Sequence, residues 1–247
     1  WAALVGSALY LLIGKFDELI AGADPQTMLR PENILLLYLA FAGTKAVHEL
    51  GHGFACKHFG LKSRSGGEVH TLGIMFLIFM PMPYVDASSA WALRNKWHRV
   101  IVSSAGMYLE LAVAAVAAII WSTISNDSES ILTALLYNII IIASISTILF
   151  NANPLLRYDG YYILADILEI PNLQQRSKQY LYHLVKKYLY GVRRDVSPIR
   201  SPGEKGWMAF YAVTSTIYRV FISVAILLYV ANAFFFVGML FAATALI

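Results

Sequence analysis

The sequence predicts an all-α, polytopic membrane protein with about six transmembrane helices and a re-entrant hairpin or loop near residues 71–84. Of its 247 residues, 58% are hydrophobic and only 14% are charged, whereas a soluble domain has about a quarter of its residues charged. Long apolar runs alternate with short polar segments, as in helices that cross a bilayer. Lysine and arginine are concentrated in a few of those segments, which is typical of cytoplasmic loops.

The formal net charge is +4, and the chain has one cysteine, Cys56. Because the basic residues flank apolar runs, they indicate cytoplasmic flanks and no nucleic-acid partner. A single cysteine excludes an internal disulfide. We expect residues 1–247 to form one membrane core cut from a longer protein.

The first elements follow from the apolar runs and from residues that favour helix ends. Residues 1–14 are expected to be the end of a first span, and a polar outer loop follows over 15–32. Pro31 suits the first turn of a helix. A second span is therefore expected from there to about residue 59, with Gly60 as its C-terminal cap.

Basic residues flank the apolar stretch 71–84 on both sides, which predicts that both flanks are cytoplasmic. The stretch contains Pro81 and Pro83 and is too short for a helix to cross the bilayer and return. A re-entrant hairpin or loop satisfies both observations. The alternative is one short span that breaks the charge rule.

Two further spans are expected over residues 100–122 and 131–150, joined by an acidic outer loop at 125–130. The second span should break at Pro154, since proline removes a hydrogen-bond donor and disfavours helix at the preceding residue. Helical structure should resume up to about Glu169. The expected segments of the core are 1–32 (first span and outer loop), 33–165 (central core), 166–206 (basic cytoplasmic interface segment) and 207–247 (one or two C-terminal spans).

The most informative motif is His48-Glu49-Leu50-Gly51-His52. On a helix, the two histidines lie on one face about one turn apart and can bind one Zn²⁺. Glu49 beside them can take a proton from water. The helix from Glu32 to His48 is about 24 Å long, less than the hydrocarbon core of about 30 Å, so the motif should lie inside the membrane near its cytoplasmic face. Ionisable groups there are expensive and usually functional, which disfavours the alternative of a surface helix.

A zinc site of this kind needs at least one more protein ligand and an open position for water. Asp159 is the preferred third ligand, because it follows the helix break and should lie at the same depth as the histidines. Asp86 and Glu110 are the alternatives.

Other polar residues are expected close to this site. Glu110 lies deep in an apolar span and must be neutral or paired. It is expected to pair with Lys45, to hydrogen-bond to the site, or to join two helices. Asn153 would either touch a substrate or satisfy backbone groups freed at Pro154. For three further residues, packing, loop or snorkelling roles are more common than ligation: Cys56, His70 and Arg219.

Two of these segments together carry a resemblance to a known family. The His48–His52 motif on a membrane helix, followed by Asn-Ala-Asn-Pro-Leu-Leu-Arg-Tyr-Asp-Gly at 151–160, resembles the site-2 protease family of intramembrane zinc metalloproteases. The resemblance implies that Asp159 is the third zinc ligand and that Asn151 lies near the substrate. Glu110 stands where that family commonly has asparagine. Within that family, the amino-acid sequence of these segments most resembles a bacterial peptide zinc metalloprotease branch. This resemblance implies additional soluble domains or secretion-adaptor partners.

The resemblance and the motif together predict a zinc-dependent endopeptidase that cleaves membrane proteins or membrane-associated peptides in or near their transmembrane segments. The expected location is the bacterial inner membrane, with the site towards the cytoplasm. Asn151 would hold an extended substrate, and the re-entrant segment would pair with it by strand addition. The alternatives are a transport or secretion component with a structural zinc, and a homologue that binds transmembrane helices without cleaving them.

Overall fold

In a computed structural model, the described residues are 1–23, 28–77, 80–124, 130–192, 197–201 and 203–233. The acidic loop expected at 125–130 and a second C-terminal span lie largely outside these ranges. The elements in chain order are α1 (Ala2–Ile13), α2 (Phe16–Gly22), α3 (Pro31–Ser63), β1 (Leu72–Leu77), β2 (Met80–Val85), a 3₁₀ helix (Ser88–Ala92), α4 (Lys96–Ile124), α5 (Ile131–Ile145), a π-helical segment (Ser146–Asn151), α6 (Asp159–Leu168), α7 (Leu173–Tyr188) and α8 (Glu204–Ala233).

Four helices in the described ranges are long and apolar enough to cross a membrane: Pro31–Ser63, Lys96–Ile124, Ile131–Asn151 and Glu204–Tyr229. They confirm the prediction of an α-helical protein and indicate insertion into a membrane. About six spans were expected. Residues 1–14, expected to be the end of a first span, contain α1, an apolar helix of 12 residues, which is shorter than the roughly 20 needed to cross a bilayer alone.

The helix that carries the His48–His52 motif begins as expected and ends later than expected. Pro31 occupies its first turn, and Arg64 ends it in the left-handed conformation with φ 51°. The expected cap at Gly60 was therefore wrong. Gly60 is needed for close packing instead, because a Cβ there would lie 2.5 Å from the carbonyl oxygen of Gly66. The prediction of a polar loop at 15–32 was also wrong in part, because this segment contains α2.

The stretch expected to form a re-entrant hairpin or loop is an antiparallel hairpin. Leu72 lies opposite Val85, and Leu77 lies opposite Met80. The hydroxyl of Tyr38 on α3 donates to the carbonyl oxygen of Pro81 at 3.0 Å, which fastens β2 to the motif helix. The hairpin prediction is confirmed in form, and its re-entry into the membrane stays a prediction.

The break at the end of the fourth expected span is also present. The α-helix ends at Ile145 and continues as the π-helical segment, in which the amide of Ala152 donates to the carbonyl of Thr147 at 2.7 Å. A π-helix was not expected, because its wider turn has no simple sequence signal. Helix α6 then runs to Leu168, close to the predicted end at Glu169.

The chain divides into two compact units, of which the first comprises Trp1–Pro154 and Tyr158–Ile167. Its apolar core joins α1, α4 and α5 through seven buried residues: Ala8, Ala115, Ala117, Ala118, Trp121, Leu136 and Ile140. Every residue of the predicted site belongs to this unit.

The second unit comprises Leu155–Arg157 and Leu168–Ile247 and includes α7 and α8. An ion pair joins these two helices, since the guanidinium of the buried Arg176 lies 2.5 Å from the carboxylate of Glu204 and also donates to the carbonyl of Pro198. Within α8, the Arg219 guanidinium donates to the carbonyl of Ser215 one turn earlier.

Candidate metal centre

Three side chains from two distant segments meet in the first unit. The Nε2 atom of His48 lies 3.0 Å from Asp159 Oδ2, and that of His52 lies 3.4 Å from Asp159 Oδ1. The two Nε2 atoms are 3.1 Å apart. This is a group that could hold a metal ion.

Close packing of α3 against α4 positions the two histidines. Their spacing of four residues puts both rings on one face of α3. That face meets α4 at Gly106, where a Cβ would lie 2.6 Å from His52 Nε2 and 2.7 Å from His48 Nε2. Gly51, between the histidines, makes room in turn for the α4 backbone, because a Cβ there would lie 2.9 Å from the Ala105 carbonyl oxygen. Glycine on both helices is therefore what allows the rings to lie where they do.

Asp159 reaches the histidines because the chain turns sharply after the π-helical segment. Pro154 prevents the helix from continuing, and Asp159 is the first residue of α6. The next residue must be glycine for this turn to pack, since a Cβ at Gly160 would lie 2.5 Å from the carbonyl oxygen of Ala152. Asp159 thus supplies a candidate ligand, and Gly160 leaves the space that allows the chain to turn and place this ligand near the histidines.

The hydrogen-bond partner of each Nδ1 atom, the ring nitrogen that faces away from Asp159, fixes the tautomer of the neutral ring. His52 Nδ1 lies 2.8 Å from the carbonyl oxygen of Val102, and His48 Nδ1 lies 2.8 Å from a Glu110 carboxylate oxygen. Both partners accept hydrogen bonds, so each Nδ1 carries a proton, and a neutral ring then presents the lone pair of its Nε2 to the site. Two such lone pairs and a carboxylate then face one another, and Asp159 Oδ2 is buried without a hydrogen-bond donor. This arrangement is repulsive unless a cation lies among them, and the donors therefore fit a divalent metal.

Glu49 touches the hairpin. Its carboxylate accepts a hydrogen bond of 3.3 Å from the backbone N–H of Val85, at the end of β2. The hairpin therefore reaches the residue expected to act as the base.

Glu110 lies at the centre of a hydrogen-bonded cluster behind His48. Its carboxylate is fully buried and lies 3.2 Å from the ammonium of Lys45. Its Oε2 accepts from the amide of Asn151 at 3.1 Å as well as from His48. Lys45 also lies 2.5 Å from Ser146 Oγ. The two expected contacts of Glu110, with Lys45 and with the site, are both present.

Asn151 and Asn153 occupy different environments. Asn151 is buried and bonded to Glu110, and its contact with substrate stays a prediction. The side-chain amide of Asn153 donates to the Leu149 carbonyl at 3.4 Å. It thus satisfies a backbone group near the end of the π-helical segment, one of its two expected roles.

The remaining candidates lie outside the three-residue group. The Asp86 carboxylate accepts from the backbone N–H of Ser88 at 2.9 Å. Hydrogen bonds from the Ser88 side chain and then from its backbone hold the pKa of Asp86 below its usual range. Cys56 is buried, with its Sγ 3.4 Å from Ser89 Oγ. His70 is exposed and lies 2.9 Å from Glu68, as a loop histidine would.

A cleft of about 360 Å³ reaches the group from the side of the hairpin. Its lining includes His52, Asp159 and Val85, together with an ion pair of 2.6 Å between Arg99 and Asp166. Burial raises the pKa of Asp166 even though Arg99 opposes the shift. The sequence alone does not predict this pair, because Arg99 stands in a basic flank of the kind expected at the cytoplasmic side of a membrane. The volume is within the range of small-ligand sites.

The fold and the site together indicate a helical protein that inserts into a membrane and carries a His-His-Asp group that could hold a metal ion. No family model, curated protein or solved structure matches the chain.

Proposed function

We propose that this protein is a zinc-dependent endopeptidase that hydrolyses peptide bonds in or near transmembrane segments of membrane proteins or peptides. The observation that carries the proposal is the convergence of the Nε2 atoms of two imidazoles on the Asp159 carboxylate, with Glu49 next to His48 in the same helical turn as both rings. Two histidines and one carboxylate form a common ligand set of catalytic zinc, which leaves a fourth position for water or substrate.

Zinc at this position would polarise the scissile carbonyl and lower the pKa of water that it binds. The same ligand set also suits non-haem iron. Glu49 favours the hydrolytic role, because hydrolysis needs a base beside the ligands and a metal-storage or structural site does not. The residues assigned to the metal are His48, His52 and Asp159.

Glu49 is proposed to move the protons. It would accept one from the attacking water and deliver one to the leaving amine, the usual contribution of a positioned carboxylate. The N–H of Val85 occupies only part of its hydrogen-bonding capacity, since a carboxylate accepts about four hydrogen bonds. The hairpin contact would therefore orient the carboxylate while leaving it free to take a proton.

The edge of β2 suggests how a substrate would be held. The Val85 N–H and the Pro81 carbonyl both bond to α3, so alternate residues put the Pro83 carbonyl on that same edge. Proline has no N–H, so this edge cannot form a regular ladder. An extended substrate would be held there through its own N–H groups, and a helical one must unwind first, since its N–H groups are otherwise bonded within the helix.

The proposed setting is a bacterial inner membrane with the site open to the cytoplasm, and soluble domains or a secretion adaptor are the proposed partners. The test is incubation of purified protein with a panel of transmembrane peptides, comparing wild type with Glu49→Gln. We expect the substitution to reduce cleavage by about 10²- to 10⁴-fold with zinc content unchanged. Glu68→Gln, at an exposed glutamate, is the matched control. A chelator should abolish cleavage.

Equal cleavage by the Glu49→Gln variant would refute the assignment of the base. Stoichiometric zinc with no cleavage of any peptide would favour a transport or secretion component instead. Capture of transmembrane peptides without cleavage would favour a homologue that only binds them.

A further inference from the structure

Glu110 is a third carboxylate at the metal centre, in addition to Asp159 and Glu49. It has no exposed surface and lies within a span of high hydropathy. A carboxylate in such a place is costly unless it is paired and fully hydrogen-bonded. Its partners come from different parts of the first unit, namely His48 and Lys45 on α3 and Asn151 at the end of the π-helical segment.

The two histidines differ in what holds their outer nitrogens. His52 Nδ1 bonds to a neutral backbone carbonyl, whereas His48 Nδ1 bonds to the Glu110 carboxylate. A carboxylate in this position orients the ring and raises the basicity of the nitrogen that faces the metal. A neutral acceptor would orient the ring as well, so the added effect of the Glu110 charge is on basicity, and that buried charge needs a counter-charge of its own.

Counting formal charges shows which residue supplies that counter-charge. Asp159, Glu49 and Glu110 contribute three negative charges, and a divalent metal offsets two of them. Lys45, whose ammonium lies 3.2 Å from Glu110, offsets the third. The centre is then neutral as a whole, which is what a low-dielectric membrane interior requires.

We propose that Glu110 is a positioning residue for the His48 ligand and that Lys45 is its obligatory counter-charge. The inference rests on the metal centre of the proposed function and deepens it. It assigns opposite electrostatic roles to the two residues. Glu110 strengthens metal binding, and Lys45 stabilises the metal-free fold by neutralising Glu110.

The two roles predict different effects of the two substitutions on metal affinity, measured by competition with a chromophoric chelator. Glu110→Gln should weaken Zn²⁺ binding by about 10- to 100-fold. Lys45→Met should not weaken it, because removing a nearby positive charge does not disfavour a cation. A role in packing alone would make both substitutions weaken binding together. Lys57→Met, at an exposed position of the same helix, is the matched control.

The unfolding temperature of the metal-free protein is the second measurement. Lys45→Met should lower it, since the buried Glu110 charge then has no counter-ion. The double variant with Glu110→Gln should recover most of that loss while its metal affinity stays low. If the two losses simply add, the pairing is refuted. If Glu110→Gln binds Zn²⁺ as wild type does, or if Lys45→Met loses affinity to the same extent, the assignment of roles is refuted.

A third measurement covers the case in which Glu110→Gln does not fold. Glu110→Asp keeps the charge but withdraws it from His48, so the absorption spectrum of its Co²⁺ form at saturation should differ from that of wild type. An unchanged spectrum would count against positioning. None of these measurements needs a substrate. Failure of proteolysis would therefore remove the proposed function and leave this inference standing, and the reverse also holds.

Discussion

Gly106 on α4 is the residue whose replacement should damage the metal centre most directly. A Cβ at this position would lie 2.6 Å from His52 Nε2 and 2.7 Å from both Cε1 and Nε2 of His48. Van der Waals contact begins at about 3.5 Å, so each ring would have to move by about 0.8 Å. Metal sites tolerate deviations of about 0.2 Å in ligand distances. Gly106→Ala should therefore disrupt the ligand set even though it adds a single methyl group.

The expected result is a loss of Zn²⁺ affinity of at least about tenfold, which corresponds to about 1.4 kcal/mol. Overpacking should also destabilise the metal-free protein by about 1–3 kcal/mol. Chelator competition measures the first effect, and thermal unfolding measures the second. Gly43→Ala on α3 is the matched control, because a Cβ there would meet nothing within 4 Å, and it should be neutral or slightly stabilising.

Wild-type zinc affinity in Gly106→Ala, with an unaltered Co²⁺ spectrum, would refute the reasoning. It would show that the imidazoles lie further from α4 than the structure places them. Loss of folding in Gly43→Ala would instead show that α3 tolerates no added methyl group, and the comparison would then carry no information about the site.

Three further predictions concern the scaffold. Tyr38→Phe removes the hydrogen bond to Pro81 and should weaken hairpin attachment by about 0.5–1.5 kcal/mol; faster proteolytic nicking at residues 72–85 would report it, and an unchanged rate would contradict it. Arg176→Met removes the charged hydrogen bonds to Glu204 and should cost about 1.5–3 kcal/mol, measured by thermal unfolding. Lys178→Met, at an exposed position, should have little effect, and equal losses would argue against the pair. Gly60→Ala forces a methyl group against the Gly66 carbonyl and should cost about 1–3 kcal/mol, whereas Gly43→Ala should not; a stable Gly60→Ala protein would show that this turn can relax.

Much of the candidate site was predictable because its geometry is periodic or topological. A spacing of four residues places His48 and His52 on one face wherever the helix lies. The distribution of charged residues places the end of the fourth span at the same depth, which predicts that Asp159 lies near the two histidines. The Glu110–Lys45 contact followed from the cost of a carboxylate in an apolar span.

Other features depend on contacts between segments, which a local pattern does not reveal. Gly106 carries no sign of its role, because the need for glycine arises only where α3 crosses α4. Gly60 looked like a cap because glycine is common at helix ends, yet packing against Gly66 explains it better. Arg99 lies among basic residues that indicate a cytoplasmic flank. Its pairing with Asp166 depends on how α4 and α6 meet, which the sequence pattern does not reveal.

The number of residues in the π-helical segment determines whether the three metal ligands can meet. Each residue advances an α-helix by about 100°, and a π-turn accommodates one residue more than a regular turn. Deleting a single residue between 146 and 151 could restore ordinary helical bonding and leave the fold soluble in detergent. The deletion would nevertheless rotate the residues after it about the helix axis. Asn151 would then point away from Glu110, and Asp159 at the start of α6 would lie too far from both imidazoles to share a metal ion. The shortened chain would thus fold but fail to bind metal, although all three ligand residues are still in its sequence.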